Sequence, residues 1–195
     1  MKDSTRHRLT AGVFLGCTLL AACNAAVDAP LPAAAEGSRK EAARAPAAPE
    51  FQGLDTWFNS QPLSLEKLRG KVVLVDFWTF DCINCLNHMP YVKEWHSKYK
   101  NQGLVVVGIH TPEFAYEKPA GNVRKAIERL GIEHAVAQDN EYKTWKAFGN
   151  QYWPATYLID KNGRIVYSHF GEGRYGETER RIQALLAEPA PAAGS

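Results

Sequence analysis

The sequence has few cysteines, little net charge and no long apolar segment. Four cysteines in 195 residues cannot form a dense disulfide framework. The 23 basic and 21 acidic residues leave a formal net charge of +2, which gives no electrostatic reason to expect binding to nucleic acid or anionic lipid. The 14-residue stretch from Leu9 to Ala22 is too short to cross a bilayer comfortably. With 45% hydrophobic residues, the chain can bury one core and hardly two.

The first 23 residues have the pattern of an export signal. A basic head precedes the apolar stretch, whose length is typical of the hydrophobic region of a signal peptide. The stretch ends in "LAAC", which resembles a bacterial lipobox, in which the cysteine becomes a lipidated N-terminus. An ordinary signal peptide cut nearby is the alternative, since small residues also suit that peptidase. We therefore expect export to the periplasm or cell envelope, with Cys23 as the lipid anchor.

Cleavage before Cys23 would change both the charge and the thiol count. Loss of residues 1–22 removes three basic residues and one acidic residue, which leaves 20 of each and a net charge of zero. Apart from Cys23, the mature chain keeps only Cys82 and Cys85. Because these two thiols lie three positions apart, they cannot join distant parts of the fold. The pair is therefore expected to serve its own chemistry.

Composition divides the rest of the chain into three parts. Residues 24–50 contain eleven alanines and four prolines with few large apolar side chains, which predicts a disordered linker. Residues 51–188 have the composition of one folded domain, and residues 189–195 are predicted to be a flexible tail. No internal repeat is present.

Apolar runs and turn residues predict the elements of the domain. Residues 71–78 and 103–109 are near-continuous apolar runs, typical of strands buried on both faces. The segment after the cysteine pair predicts a helix that is interrupted at Pro90. Residues 154–160 and 164–170 predict a hairpin across "KNG". Two further helices, separated by a short strand, precede the hairpin, and a last helix follows it. This order predicts an α/β fold: a mixed sheet covered by helices on both faces.

The Cys-x-x-Cys pair allows three interpretations. Haem attachment needs a histidine directly after the second cysteine, where this chain has Leu86. Structural zinc needs four ligands, but the mature chain has no second cysteine pair. His88 could be a third ligand, yet the spacing of the other histidines suggests no fourth. We therefore predict no metal site.

A redox couple fits the sequence context better. A strand that leads into Cys82 at the start of a helix places its sulfur over unpaired backbone amides and the positive end of the helix dipole. These stabilise the thiolate and lower its pKa from about 8.5 toward 7 or below. Cys82 would attack a partner's disulfide, and the buried Cys85, one turn into the helix, would then attack Cys82 and release the partner.

Several blocks carry a family resemblance. The segments "RGKVVLVDFW", "VDFWTFDCINCLNHMP", "HTPEF", "YWPATYLID" and "HFGEG" resemble the thioredoxin superfamily, especially its exported TlpA/DipZ-like branch. The resemblance covers residues 51–188 and implies a thioredoxin-like fold with no cofactor. It implies that Asp76 is the buried acid that accepts the proton of Cys85. It also implies that the bond between Trp153 and Pro154 is cis, faces the disulfide and exposes a backbone edge for a partner strand.

Some of these residues have a second interpretation. Asp76 could end its strand as a solvated carboxylate. Trp78, Phe80 and Trp153 could pack in the core or form a surface for partner peptides. Glu113, in "HTPEF", could approach the cysteines from the end of a strand or be a solvated loop acid.

One position departs from the family pattern. Thioredoxins commonly have tryptophan before the first cysteine, where this chain has Asp81. A carboxylate beside Cys82 opposes the helix dipole and should raise the thiolate pKa. Neither Ile83 nor Asn84 supplies a positive charge that would favour the reduced form. These residues predict a reducing couple.

The resemblance implies an exported thiol–disulfide oxidoreductase that reduces protein disulfides, in cytochrome c maturation or envelope redox homeostasis. A separate membrane electron donor of the CcdA/DsbD type would recharge it, and we expect a monomer. A peroxiredoxin-like peroxidase is one alternative. Peroxiredoxins have the pattern Pro-x-x-x-Thr/Ser-x-x-Cys; Thr79 matches its hydroxyl position, three before Cys82, but Val75 stands at the proline position. The other is a thioredoxin-fold module that binds a metal or an unfolded apoprotein without turnover.

Overall fold

The computed structural model describes residues 44–189 of the chain. The predicted signal segment 1–23 with Cys23, the linker up to residue 43 and the tail from residue 190 lie outside the described residues. Within the described range, no helix is long and apolar enough to span a bilayer.

Six strands and four α-helices form the described part. In chain order they are β1 Trp57–Phe58, β2 Val72–Trp78, α1 Ile83–Tyr99, β3 Leu104–His110, α2 Ala120–Leu130, β4 Ala135–Gln138, α3 Lys143–Ala147, β5 Ala155–Ile159, β6 Ile165–Phe170 and α4 Tyr175–Ala187. Short 3-10 turns follow α1 and β3, at Lys100–Gln102 and Ala115–Glu117.

The strands form one mixed sheet in the order β1-β4-β3-β2-β5-β6. Strand β2 lies in the middle, parallel to β3 and antiparallel to β5. All seven residues of β2 are buried, because its alternate side chains enter two apolar clusters, one on each face of the sheet. Leu74 and Trp78 belong to one cluster, and Val75 and Phe77 to the other. The predicted mixed sheet covered on both faces is confirmed; the two-residue edge strand β1 was not anticipated.

The hairpin expected across "KNG" forms between β5 and β6. The Asp160 Oδ1 accepts hydrogen bonds from the backbone N–H groups of Asn162, at 2.9 Å, and Arg164, at 2.8 Å. Gly163 has a φ of 72°, a left-handed conformation that glycine adopts without steric cost. The aspartate and the glycine therefore define this turn locally.

Helix α1 continues through Pro90, where the sequence predicted an interruption. Proline removes one intrahelical hydrogen bond at this point. Met89, Val92 and Trp95 are nevertheless buried in the core on both sides of it. Packing of this face stabilises the helix enough to offset the lost bond.

Residues 45–50, which the sequence assigned to the linker, contact the domain. The carbonyl of Pro46 accepts a hydrogen bond of 3.0 Å from the Ile165 N–H at the start of β6. The Glu50 carboxylate accepts one of 2.8 Å from the Leu65 N–H. The folded part therefore begins before the predicted boundary, because backbone pairing of an alanine- and proline-rich segment leaves no trace in composition.

Candidate active site

The two cysteines lie where β2 turns into α1. Cys82 is the N-cap of α1, and its Sγ accepts a hydrogen bond of 3.4 Å from the Cys85 backbone N–H. Both residues are free thiols. Cys82 is half-buried, whereas Cys85 is only 1% exposed. One sulfur therefore faces a partner at the helix N-terminus while the other is enclosed, which is the placement that the sequence predicted.

The environment separates the acidities of the two thiols. The hydrogen bond with the Cys85 side chain is the main cause that lowers the pKa of Cys82 to about 6; burial acts against it, and backbone amides of Cys85 and Asn84 add to it. The same hydrogen bond, followed by burial, raises the pKa of Cys85. Near pH 7 Cys82 is thus a thiolate and Cys85 a thiol, which is the division of roles that sequential attack requires.

The carboxylate that opposes the Cys82 thiolate is Glu113. Its negative charge acts to raise the pKa of Cys82. The Asp81 carboxylate instead accepts a hydrogen bond from the Tyr116 hydroxyl. The sequence assigned this electrostatic role to Asp81 because of its position next to Cys82. The structure adds Glu113, in the loop after β3, as a small contribution that raises the pKa of Cys82, while the effect of Asp81 stays a prediction.

Glu113→Gln is expected to lower the pH midpoint of Cys82 alkylation from about 6 by a few tenths of a unit, because a partly screened negative charge is removed. Asp81→Asn should shift the midpoint less, because the Asp81 carboxylate is exposed to solvent and accepts a hydrogen bond from the Tyr116 hydroxyl. The rate of iodoacetamide labelling, followed by mass spectrometry between roughly pH 4 and 9 at low salt, gives both midpoints. A shift in Asp81→Asn alone would return the role to Asp81 and contradict this assignment.

Asp76 lies beneath the cysteine pair and is fully buried. Burial raises the pKa of its carboxyl group, and the nearby His88 partly offsets this rise. The charge of Asp76 in turn raises the pKa of Cys85, so the two side chains are close enough to interact. A solvated carboxylate at the end of β2 is therefore excluded. A buried acid with a raised pKa can take up and release a proton near neutral pH.

The peptide bond between Trp153 and Pro154 is cis. Pro154 is buried, and Trp153 is half-buried, with its indole N–H donating to the Thr111 carbonyl at 3.0 Å. The Thr111 N–H donates to the Trp78 carbonyl at 3.0 Å, which ties this loop to the end of β2. Trp78 itself is fully buried and belongs to the core, so only Phe80 and Trp153 remain partly exposed beside the site.

Sequence reasoning missed Glu117, a fully buried carboxylate in the turn after β3. Its Oε1 accepts hydrogen bonds from the Thr79 hydroxyl, at 2.5 Å, and the Asp81 N–H, at 3.3 Å. Its Oε2 accepts from the N–H groups of Glu113, at 2.7 Å, and Phe114, at 2.8 Å. Glu117 therefore joins the loop that carries Cys82 to the loop that carries Glu113. A lone acid in a loop-like segment gives no sequence signal of this role.

Glu117→Gln is expected to destabilise the fold by about 2–4 kcal/mol, since the amide offers one acceptor oxygen to four donors and turns an N–H₂ group toward some of them. Urea unfolding at pH 7 measures the change. Glu128→Gln, at an exposed position of α2, is the matched control and should change stability by less than about 0.5 kcal/mol. Equal effects of the two substitutions would mean that the buried carboxylate does not hold the loops.

His88 was considered as a zinc ligand from the sequence, but it faces other partners. Its Nε2 lies 3.1 Å from the Thr156 Oγ1 and 3.4 Å from the Asp76 Oδ1. Within residues 44–189, no three histidine, cysteine, aspartate or glutamate side chains are grouped so that they could hold a metal ion.

Comparison with known proteins identifies relatives of this chain. A family model described as Redoxin matches residues 42–186. Protein DipZ of Mycobacterium bovis is 48% identical over 147 residues, which cover 74% of this chain but only 21% of DipZ. Thiol-disulfide oxidoreductase YkuV of Bacillus subtilis is 30% identical over 140 residues, which cover 72% of this chain and 94% of YkuV.

A solved crystal structure shares the fold. A thioredoxin-like superfamily protein superimposes with a TM-score of 0.71 at 29% sequence identity, covering 75% of this chain and all of that chain. Its similarity confirms the thioredoxin-like architecture expected from the sequence blocks.

Proposed function

The chain belongs to the Redoxin family of thioredoxin-fold proteins, and on that premise we propose that it reduces protein disulfides through Cys82 and Cys85. One observation carries the proposal: a half-buried thiolate at a helix N-terminus is hydrogen-bonded to a buried, protonated thiol. This pair is suited to capturing a disulfide and then resolving it. The relative YkuV, of which this chain covers 94%, bears the name thiol-disulfide oxidoreductase and supports the proposal.

The reaction proceeds in two exchanges. The Cys82 thiolate attacks one sulfur of the partner's disulfide, and the other partner sulfur leaves as a thiolate. Cys85 then loses its proton to the Asp76 carboxylate and attacks the Cys82 sulfur, which releases the second partner sulfur as a thiolate. The two partner thiolates take up protons. Two electrons pass to the partner, and the Cys82–Cys85 disulfide forms.

The partner peptide binds beside Trp153 and Pro154 in this proposal. Ala155 pairs with Phe77, so Pro154 comes at the same end of the sheet from which the Cys82 loop leaves. Ile83, next to Cys82, is 66% exposed and offers an apolar contact at the attacking sulfur. These positions support a docking surface that surrounds the reactive thiolate.

The cellular setting extends the proposal. The signal-like N-terminus supports export and anchoring through Cys23, in the periplasm or cell envelope. The chain would act as a monomer, recharged by a separate membrane donor of the CcdA/DsbD type, in cytochrome c maturation or redox homeostasis. The pKa of Cys82, lowered to about 6 mainly by the hydrogen bond with Cys85, favours the reduced thiolate form, and the smaller opposing charge of Glu113 limits this effect. A reducing couple stays part of the proposal. The chain spans about a fifth of the length of DipZ.

The peroxidase alternative is disfavoured by the position of Thr79. In the peroxiredoxin pattern this hydroxyl serves the peroxide-reacting thiolate. Here it donates to the buried Glu117 carboxylate at 2.5 Å and lies 3.3 Å from the His110 Nε2. It is therefore already engaged with Glu117 and is not available to the Cys82 thiolate.

Insulin reduction tests the proposal. Pre-reduced protein is mixed with insulin, and loss of the insulin disulfides is followed by turbidity and by thiol labelling. In a second experiment, a Cys85→Ala variant expressed in cells should accumulate mixed disulfides between Cys82 and its partner proteins. Bound metal without any insulin reduction would favour the binding module instead. Peroxide turnover that survives Cys85→Ser but not Cys82→Ser would favour the peroxidase.

A further inference from the structure

Three side chains from different elements meet beneath the cysteine pair. His88 lies on α1 one turn after Cys85 and is 2% exposed. Asp76 and Thr156 are cross-strand partners on β2 and β5. The His88 Nε2 lies 3.1 Å from the Thr156 Oγ1 and 3.4 Å from the Asp76 Oδ1. The imidazole thus faces the buried acid directly.

The surroundings of His88 favour one tautomer. Its Nδ1 is buried and has no hydrogen-bond partner among the described residues. A hydrogen on Nδ1 would leave a buried donor unpaired, which costs free energy, so the hydrogen belongs on Nε2. The Nε2–H then donates toward the Asp76 carboxylate and the Thr156 hydroxyl. His88 in this arrangement is a hydrogen-bond donor through Nε2.

Few other groups act on this site. The rings of Trp95 and Tyr175 lie 6.1 and 5.7 Å from the His88 ring, centroid to centroid, and exclude water. The titratable groups that face the His88 and Asp76 pair are Cys85 on α1 and Tyr175 at the start of α4. Both carboxylate oxygens of Asp76 are buried without a fully formed hydrogen bond among residues 44–189, and the His88 Nε2 lies 3.4 Å from Oδ1.

We propose that His88 is a positioning residue for the resolving step: its Nε2–H favours the ionised form of the Asp76 carboxylate, which is the form that can accept the Cys85 proton. This inference rests on the proposed disulfide exchange. In that step the S–H bond of Cys85 breaks and its proton goes to Asp76, the Cys85–Cys82 bond forms, and the bond from Cys82 to the partner sulfur breaks. Cys85 is oxidised and the partner sulfur is reduced.

Loss of the Nε2–H would leave the Asp76 carboxylate in an apolar enclosure with no donor. The protonated form of Asp76 would then persist to higher pH, because a buried carboxylate without hydrogen bonds is poorly stabilised. Cys85 could then transfer its proton to Asp76 only above the raised pKa of Asp76. We expect the acid limb of the resolving step to move up by about one pH unit, which is about a tenfold slower release on that limb.

Two variants and a control test the inference. His88→Leu removes the donor, whereas the side-chain amide of His88→Gln keeps an N–H near the Nε2 position. His96→Gln changes a half-buried histidine of the same helix that makes no contact with Asp76. Ellman's reagent serves as the disulfide in stopped flow: the first release of thionitrobenzoate reports Cys82 attack, and the second reports Cys85 attack. Carboxyl ¹³C NMR gives the titration of Asp76 directly.

In His88→Leu, the titration of Asp76 and the acid limb of the second release should move up together, with the first release changed by less than about twofold. His88→Gln and His96→Gln should behave like the original protein. A folded His88→Leu protein with an unshifted Asp76 titration overturns the inference. If that variant does not fold, ¹⁵N shifts of His88 in the unaltered protein decide: hydrogen on Nε2 supports the inference, and hydrogen on Nδ1 overturns it. If the Asp76 titration and the second release move as expected but the protein does not reduce insulin, only the proposed function is rejected.

Discussion

Cys82→Ser is expected to lower the rate of insulin reduction by at least about 10³-fold. The sulfur at position 82 has a pKa of about 6 and is mostly ionised at pH 7, whereas a serine hydroxyl stays protonated there. Without a thiolate at the helix N-terminus, the first exchange has no nucleophile. Cys85 cannot replace it, because it is buried and its pKa is raised.

Cys85→Ser is the matched control for that loss. It also stops turnover, but Cys82 can still attack, so a mixed disulfide between Cys82 and the partner should accumulate. Non-reducing gels and mass spectrometry distinguish the two variants. Accumulation of the same adduct in Cys82→Ser would mean that Cys85 is the attacking residue and would reverse the assigned order.

Asp76→Asn should slow the resolving step by about 10²–10³-fold and at the same time stabilise the fold at pH 7 by roughly 1–3 kcal/mol. The slower step follows from loss of the group that accepts the Cys85 proton. The added stability follows because an amide requires no buried charge. The second thionitrobenzoate release and urea unfolding at pH 7 measure the two effects.

The pH dependence of stability gives an independent check. Burial raises the pKa of Asp76, so the folded state keeps a proton that the unfolded chain releases at about pH 4. The free energy of unfolding therefore falls as pH rises from about 4 to the folded-state pKa of Asp76, and this decline should disappear in Asp76→Asn. Asp55→Asn, at an exposed position, should keep it. An Asp76→Asn protein that is less stable than the original and that releases the second thionitrobenzoate at the normal rate would contradict both predictions for this substitution.

These opposite effects explain why an acid occupies the centre of the sheet. Strand β2 is otherwise apolar, and a carboxyl group there lowers stability. Such a cost is typical of sites where function and stability conflict. In the proposed mechanism, this cost accompanies the role of Asp76 as proton acceptor.

Local patterns in the sequence were sufficient for much of the fold and for the reactive pair. The apolar runs predicted β2 and β3, because a strand buried on both faces has no polar alternation. "KNG" between two apolar runs predicted the hairpin. Cys-x-x-Cys after a strand predicted that Cys82 caps a helix, since the spacing and the helix geometry are encoded within a few residues. Asp76 was predicted to be buried because its sequence neighbours are apolar.

Only the tertiary structure decided which charged and polar groups act on that pair. Glu117 reaches the Asp81 N–H across 36 positions, and His88 reaches Thr156 across 68. Such contacts depend on strand order, which brings the ends of β2, β3 and β5 together. Adjacency in the chain pointed to Asp81, and the fold adds a charge from a distant segment, Glu113, that also acts on the pKa of Cys82. Sequence patterns report the burial and backbone geometry of neighbouring residues, whereas electrostatic pairing depends on distances in space between segments far apart in the chain.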